Sequence, residues 1–358
     1  MEVTLFCMSM GWFKWTFHPF KSTHFFIMTI AAYLKKLINI PSITGEENKL
    51  CTELVQDLTA LGFQTRLEPV AANRFNLHAS VTGTPSILLS THMDTVPPFI
   101  PASENDGKIF GRGANDAKGQ IAAMIYAVKD LPENVRNQVG FLFVVGEETD
   151  SIGAKTAVKN GISAQYVING EPTDNVCVSG HKGIFIFDLQ ASGIAAHSGY
   201  PEAGESAIHT IVEQLHIMQN INWGTDDFFG EATMNIGTIE GGLAANVLAP
   251  SATARCFVRV VTSTDDVVHR LEAAKLPGIS YEIYNRAEPV RLFVPENMPA
   301  KIVKYASDAS RFAMVAKTMM LGPGSILNAH TKDEFVTISE LEESVGIYQN
   351  LICSLIGK

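Results

Sequence analysis

Positive charge is scarce in this chain. Of its 358 residues, 27 are Lys or Arg against 37 Asp or Glu, a net charge of −10, and no basic cluster interrupts the deficit. Nucleic-acid binding needs a basic face to meet phosphates, so that class of partner is excluded. Cysteine is sparse too: Cys7, Cys51, Cys177, Cys256 and Cys353 are scattered, odd in number and never spaced CxxC. The pattern excludes a disulfide framework and a thiolate zinc site. It fits buried thiols in a reducing compartment, with the cytoplasm as the expected location. No run of about 18 apolar residues occurs, so no spanning helix and no membrane partner are expected. Internal repeats and low-complexity stretches are also missing.

What is present is core material: 46% of residues are hydrophobic and only 18% charged, the composition of an ordered globular protein. The length makes two domains the expectation. Residues 1–27 differ from the rest, being rich in Phe, Trp and Met. Glu2, Lys14, His18 and Lys21 break the continuous apolar core a signal peptide would need, so the stretch reads as an appended leader.

From Thr29 the apolar spacing predicts two amphipathic helices, carrying Tyr33, Leu34, Leu37 and Ile38, then Leu50, Leu54, Leu58 and Leu61, with Gly62 as the closing cap. Short strands are expected near 63–68, 75–81 and 86–91, a helix from Gly119 to Pro132, and a doubly covered strand in the apolar run before Gly146. From about residue 176 the texture changes to alternating, antiparallel-type strands, with helices at 205–220 and 264–275 and a strand at 279–285. Near 290 the first pattern returns, with a helix expected around 298–313 and another at 339–356. The expected architecture is α/β: a mostly parallel mixed sheet flanked by helices, 28–176 with 290–358, interrupted by a smaller α+β domain, 177–289.

Three apolar strands finish in polar residues: His92 and Asp94, then Glu147 and Glu148, then Glu171. In open α/β sheets the site lies beyond the carboxyl ends of the strands, so these side chains are expected to converge. Asp116, twenty-four positions after His92 (116 − 92), sits between glycines, and His330 follows a Gly-Pro-Gly loop. Imidazoles and carboxylates without thiolates suit Zn²⁺, with Co²⁺ or Mn²⁺ as substitutes. The ligands exceed what one open tetrahedral ion needs and suit two ions sharing a carboxylate. Asp94 is placed to accept from the far nitrogen of His92. Adjacent Glu147 and Glu148 cannot point the same way, so one ligates while the other takes a proton from the attacking water. The reaction class is hydrolysis at a carbonyl with an amine leaving.

These motifs resemble the M20 family of metallopeptidases and amidohydrolases. The likeness runs from about Thr29 to the end and rests on His92-Met93-Asp94-Thr95-Val96-Pro97, Gly111-Arg112-Gly113 through Lys118-Gly119, Gly146-Glu147-Glu148-Thr149, Gly170-Glu171-Pro172-Thr173 and Asn328-Ala329-His330. The resemblance implies that His92 and Glu171 hold one ion, Glu148 and His330 the other, that Asp116 bridges them and that Glu147 is the base. It also implies that the inserted domain is a lid forming a homodimer. His197, in Ala196-His197-Ser198-Gly199, then polarises the scissile carbonyl, and Asn246, Arg259 and Gly322 bind substrate, Arg259 as a bidentate partner for a carboxylate. Ala249 before Pro250 departs from the family's more frequent proline. The remaining histidines are assigned no site role.

The resulting expectation is a hydrolase of an N-acyl amino acid or short peptide. The Gly-Glu-Pro-Thr segment and the Ala-His-x-x-Asp-Glu ending lean toward an acetylornithine deacetylase-like enzyme. The alternatives are a succinyl-diaminopimelate desuccinylase or a small-peptide carboxypeptidase or dipeptidase. A silent binding module would lack a ligand or the base, and all seven positions are filled.

Overall fold

The computed structural model describes residues 28–357, so the leader expectation lies outside the described residues. Helices Ile30–Ile38 and Asn48–Ala60 open the described chain. Thr29 caps the first by accepting from the Ala32 amide, and Gly62 follows the second at φ +87°, a conformation that disfavours a side chain. Tyr33, Leu34, Leu37, Leu50, Leu54 and Leu58 are all buried along the inner faces of this pair.

The main sheet has six strands in the order Gln64–Ala71, Arg74–Ser80, Val139–Val144, Ile87–His92, Tyr166–Asn169 and Lys317–Met320. The first two form a hairpin that joins the third antiparallel, and the last four run parallel. Val139–Val144 and Ile87–His92 are buried at every position because both faces of the sheet are covered. One face carries the opening helices, Lys118–Lys129 and Ile338–Ile356; the other carries Ile152–Lys159 and the short helix Ala309–Phe312. Helix Lys118–Lys129 is buried from Lys118 through Val128, which explains its apolar character on all sides. The last helix starts with a capping box between Thr337 and Glu340. The fold is mixed α/β.

A second, antiparallel sheet runs Thr233–Gly241, Ser251–Val260, Gly183–Ser192 and Ile279–Ala287. Its inward residues, among them Phe185, Phe187, Leu189, Ala254, Cys256 and Val258, pack under helices Ala207–Gln219 and Thr264–Ala274 in a separate core. The chain passes between the two sheets through Cys177–His181, which pairs antiparallel with Val290–Arg291 and parallel with Ala300–Val303. We propose that the two cores are two domains, 28–176 with 290–358 and 177–289, joined by that ribbon.

One element differs from expectation. The helix expected around 298–313 is helical only at Ala309–Phe312, and Ala300–Val303 is a strand. Pairing with Cys177–His181 decides the local structure there, a long-range contact that overrides helix propensity. Cys51, Cys177, Cys256 and Cys353 are free thiols, the first three buried. Among the described residues no helix is long and apolar enough to cross a membrane.

Candidate metal centre

Parallel pairing sets the carboxyl ends of three strands side by side: His92 lies opposite Val144 on one neighbour, and Ser90 opposite Asn169 on the other. The residues just beyond those ends therefore share one edge. His92 is 1% exposed, and its Nε2 lies 2.9 Å from Asp116 Oδ1. His330 comes from the far end of the chain and places Nε2 3.4 Å from Asp116 Oδ2 and 3.0 Å from Glu148 Oε2. One oxygen of Asp116 thus faces each histidine, the disposition of a bridging carboxylate. Ligand atoms of His92, Asp116 and Glu148 all lie within 4.8 Å of one another. His330 holds a left-handed backbone, φ +63°, unusual for a non-glycine residue. Glu171 is buried and accepts from the Asn169 side-chain Nδ2 at 3.2 Å.

Two buried carboxylates shape this edge. Asp94 Oδ1 accepts from the amides of Gly146 and Glu147, and Oδ2 from the Glu148 amide and the Thr44 hydroxyl. The expected bond from His92 to the Asp94 carboxylate is replaced: His92 Nδ1 sits 2.9 Å from the Asp94 main-chain carbonyl and 3.6 Å from the carboxylate. The carbonyl fixes Nδ1 as the donor and leaves Nε2 toward Asp116, while the carboxylate anchors the Glu147-Glu148 loop. Glu334, absent from the expected site, does the same for Asp116. Its Oε1 accepts from the amides of Gly113, Asn115 and Asp116, and its Oε2 from Arg112 at 2.6 Å. The Asp-Glu that follows Ala329-His330 was the available signal.

The electrostatics describe a cage that attracts positive charge. Burial pushes Glu147 and Glu171 well above the usual carboxylate range, with Glu171 adding to the effect on Glu147 and Asp116 to that on Glu171. Burial and Asp116 raise Glu148 as well. Asp116 is held below its ordinary value: burial opposes this, but His330 and His92 outweigh it. Hydrogen bonds to Asp116 and Glu148 raise His330 to about 10. Asp308, 1% exposed at the start of helix Ala309–Phe312, adds a further carboxyl that burial raises to about 6; nothing in its local sequence marks it. His92, His330 and Glu148 gathered around Asp116, with no thiolate, form a donor set that fits divalent cations.

The other expected residues lie elsewhere. His197 is exposed in the segment after strand Gly183–Ser192, where its main chain bridges to Val247 and its Nδ1 accepts from the Gly199 amide. Asn246 is exposed, and its carbonyl accepts from Ser198. Arg259 lies on the outward face of the second sheet, its guanidinium 4.4 Å from the Phe257 ring centroid. The structure brings none of the three into contact with the cage. Gly322, expected to touch substrate, is buried; an added Cβ would stand 1.8 Å from Gln120 Oε1, and its amide donates to the Thr173 hydroxyl.

Residues 88–354 match the model of peptidase family M20/M25/M40. A peptidase M20 domain-containing protein of Schizosaccharomyces pombe is 37% identical over 332 residues, covering 89% of this chain and 82% of that protein. An Aspergillus niger protein named "Probable carboxypeptidase" is 35% identical, covering 90% and 88%. Among solved structures, a tripeptidase of Staphylococcus aureus superposes with a TM-score of 0.78 at 22% identity, covering 92% and 98%. A dinuclear-metal-binding M20 peptidase of Bacillus subtilis gives 0.65 at 14%, covering 93% and 98%. With most of its length matched by the family model and by relatives above 30% identity, the chain belongs to peptidase family M20/M25/M40.

Proposed function

We propose that this hydrolase of peptide or amide bonds is a carboxypeptidase or dipeptidase-type enzyme, acting on a short peptide or N-acyl amino acid with a free carboxylate. The observation that carries the reading is Asp116, whose two oxygens face His92 and His330 separately. In this reading His92 and Glu171 hold one zinc ion, Glu148 and His330 the other, with cobalt or manganese as substitutes, and Asp116 spans both. When bound there, such ions would supply Lewis acidity for the scissile carbonyl and for water. Glu147 takes the water's proton and delivers it to the leaving amine; desolvation and the neighbouring Glu171 hold its carboxyl well above the ordinary range. Arg259 receives the substrate carboxylate and Asn246 helps to orient the substrate.

The lean toward acetylornithine deacetylation finds no support among the relatives reported above, whose names point to peptidases; the carboxypeptidase or dipeptidase alternative fits them. We further propose a homodimer through the inserted domain, in which His197 polarises the scissile carbonyl. Support for the dimer is the edge strand Thr233–Gly241 with exposed Ile239, the exposed Leu243 just past its end, and a neighbouring helix with exposed Val212.

The test is a panel of dipeptides, tripeptides, N-acetylornithine and other N-acyl amino acids offered to zinc- and cobalt-loaded protein. Hydrolysis of peptides with a free carboxyl end, abolished by a chelator and restored by metal, is expected. Turnover of N-acetylornithine alone would replace this reading with the deacetylase.

A further inference from the structure

Asp308 sits beside the metal centre without a structural task of its own. It precedes helix Ala309–Phe312, where an aspartate commonly caps, yet its side chain makes no capping bond. The Ala309 amide donates to the Ser307 hydroxyl instead, at 3.2 Å. Both carboxylate oxygens of Asp308 are buried, and neither meets a protein donor at hydrogen-bonding geometry. The Ser151 hydroxyl is only near enough to favour the charged form. A buried carboxylate left so poorly satisfied destabilises the metal-free fold and calls for a reason.

Three contacts place this side chain. Tyr305 donates its hydroxyl to the Pro172 carbonyl at 2.8 Å, which ties the segment to the loop that carries Glu171. Ser307 reaches Met320 Sδ at 3.4 Å, at the end of strand Lys317–Met320. Helix Ala309–Phe312 packs against helix Ile152–Lys159, which opens just after the Glu147-Glu148 loop. Asp308 therefore stands between the loops that carry Glu171 and Glu147, and its charge is felt by both, as well as by His92 and Asp94.

We propose that Asp308 is an outer anion of the centre, which strengthens divalent-cation binding without ligating and destabilises the metal-free protein. The inference rests on the two-ion assignment proposed above. In that assignment two divalent ions bring four positive charges, and the ligands Asp116, Glu148 and Glu171 return three negative ones. Glu147 gives up its own charge when it takes the water's proton. Asp94 is committed to the amides of Gly146, Glu147 and Glu148. Asp308 is close, negative and uncommitted, and burial leaves its attraction for a dication little screened.

The experiment compares Asp308→Asn and the similarly sized Asp308→Leu with wild type, as full chains near pH 8. Two quantities are read: zinc affinity by calorimetric titration, and the urea midpoint of the metal-free protein. Zinc affinity is expected to fall about tenfold or more with the number of bound ions unchanged. The metal-free midpoint is expected to rise, because a buried unpaired charge has been removed. A merely structural residue would lower that midpoint when lost. One variant showing both changes suffices, so a packing defect peculiar to the other does not decide the matter. Unchanged zinc affinity in both variants, or a lowered metal-free midpoint in both, would overturn the inference and leave the two-ion assignment intact. Loss of one equivalent of zinc in both would make Asp308 a ligand and overturn it as well. If wild type binds fewer than two zinc ions, the two-ion assignment falls and this inference falls with it.

Discussion

Glu334 offers a direct test of how the centre is built, because its role is structural and independent of substrate. Its side chain is fully buried against a 3% exposed Arg112, and it accepts three main-chain amides from the loop that carries Asp116. Glu334→Gln keeps one oxygen for the amides but turns an NH₂ toward Arg112, leaving a buried guanidinium without its anion. Arg112 retains only the Thr331 and Pro98 carbonyls at 3.2 and 3.4 Å. Removing one partner of such a pair costs about 3–5 kcal/mol. Asp116 is expected to lose preorganisation as well, so metal affinity drops about 10- to 100-fold, as for other groups that orient a ligand. Urea denaturation of metal-free protein measures the first effect and calorimetric zinc titration the second. Arg112→Met alone leaves Glu334 buried and unpaired, and the double variant removes both charges, so its cost should fall below the sum of the singles by about 2 kcal/mol or more. Additive costs, or a Glu334→Gln protein within about 1 kcal/mol of wild type and unchanged in zinc affinity, would refute the reasoning.

Further outcomes follow from the same geometry. Glu147→Ala is expected to retain its metal and lose about 10²- to 10⁴-fold in kcat; an emptied site by elemental analysis would make Glu147 a ligand. Mixed His197→Ala and Glu147→Ala subunits are expected to regain part of the activity neither has alone, and no recovery after verified subunit exchange would mean each lid serves its own site. Glu68, where burial is outweighed by hydrogen bonds from His78, Asn160 and Asn76, is held down at about 2 against an ordinary 4.5. A depressed carboxylate contributes stability that is present above the ordinary value and lost as pH falls through the folded one. The stability advantage of metal-free wild type over Glu68→Gln should therefore shrink between about pH 4.5 and 2. Parallel denaturation curves across that window would contradict it.

Much of the architecture was legible because its causes are local. The 3.6-residue spacing of Tyr33, Leu34 and Leu37 and the unbroken apolar run at Val139–Val144 report burial on one helical face and on both sides of a strand. Residues 298–313 were misread because a strand formed by pairing with Cys177–His181 leaves no local mark. Asp308 escaped for the same reason, its burial depending on segments far away in the chain.

The sequence by itself determined the donor chemistry: two histidines and several carboxylates after apolar strands, glycines around Asp116, and no thiolates. Side-chain type is a property of each residue and needs no fold to be read. Tertiary structure alone decided which atoms face each other. It set the Asp94 carboxylate on the Glu147-Glu148 loop and gave the His92 ring to a main-chain carbonyl. It brought Glu334 across more than two hundred residues to hold Asp116, and it buried the Asp308 carboxylate without a protein donor. Hydrogen bonds and ion pairs depend on ångström-scale distances between groups remote in the chain, and strand order and register set those distances.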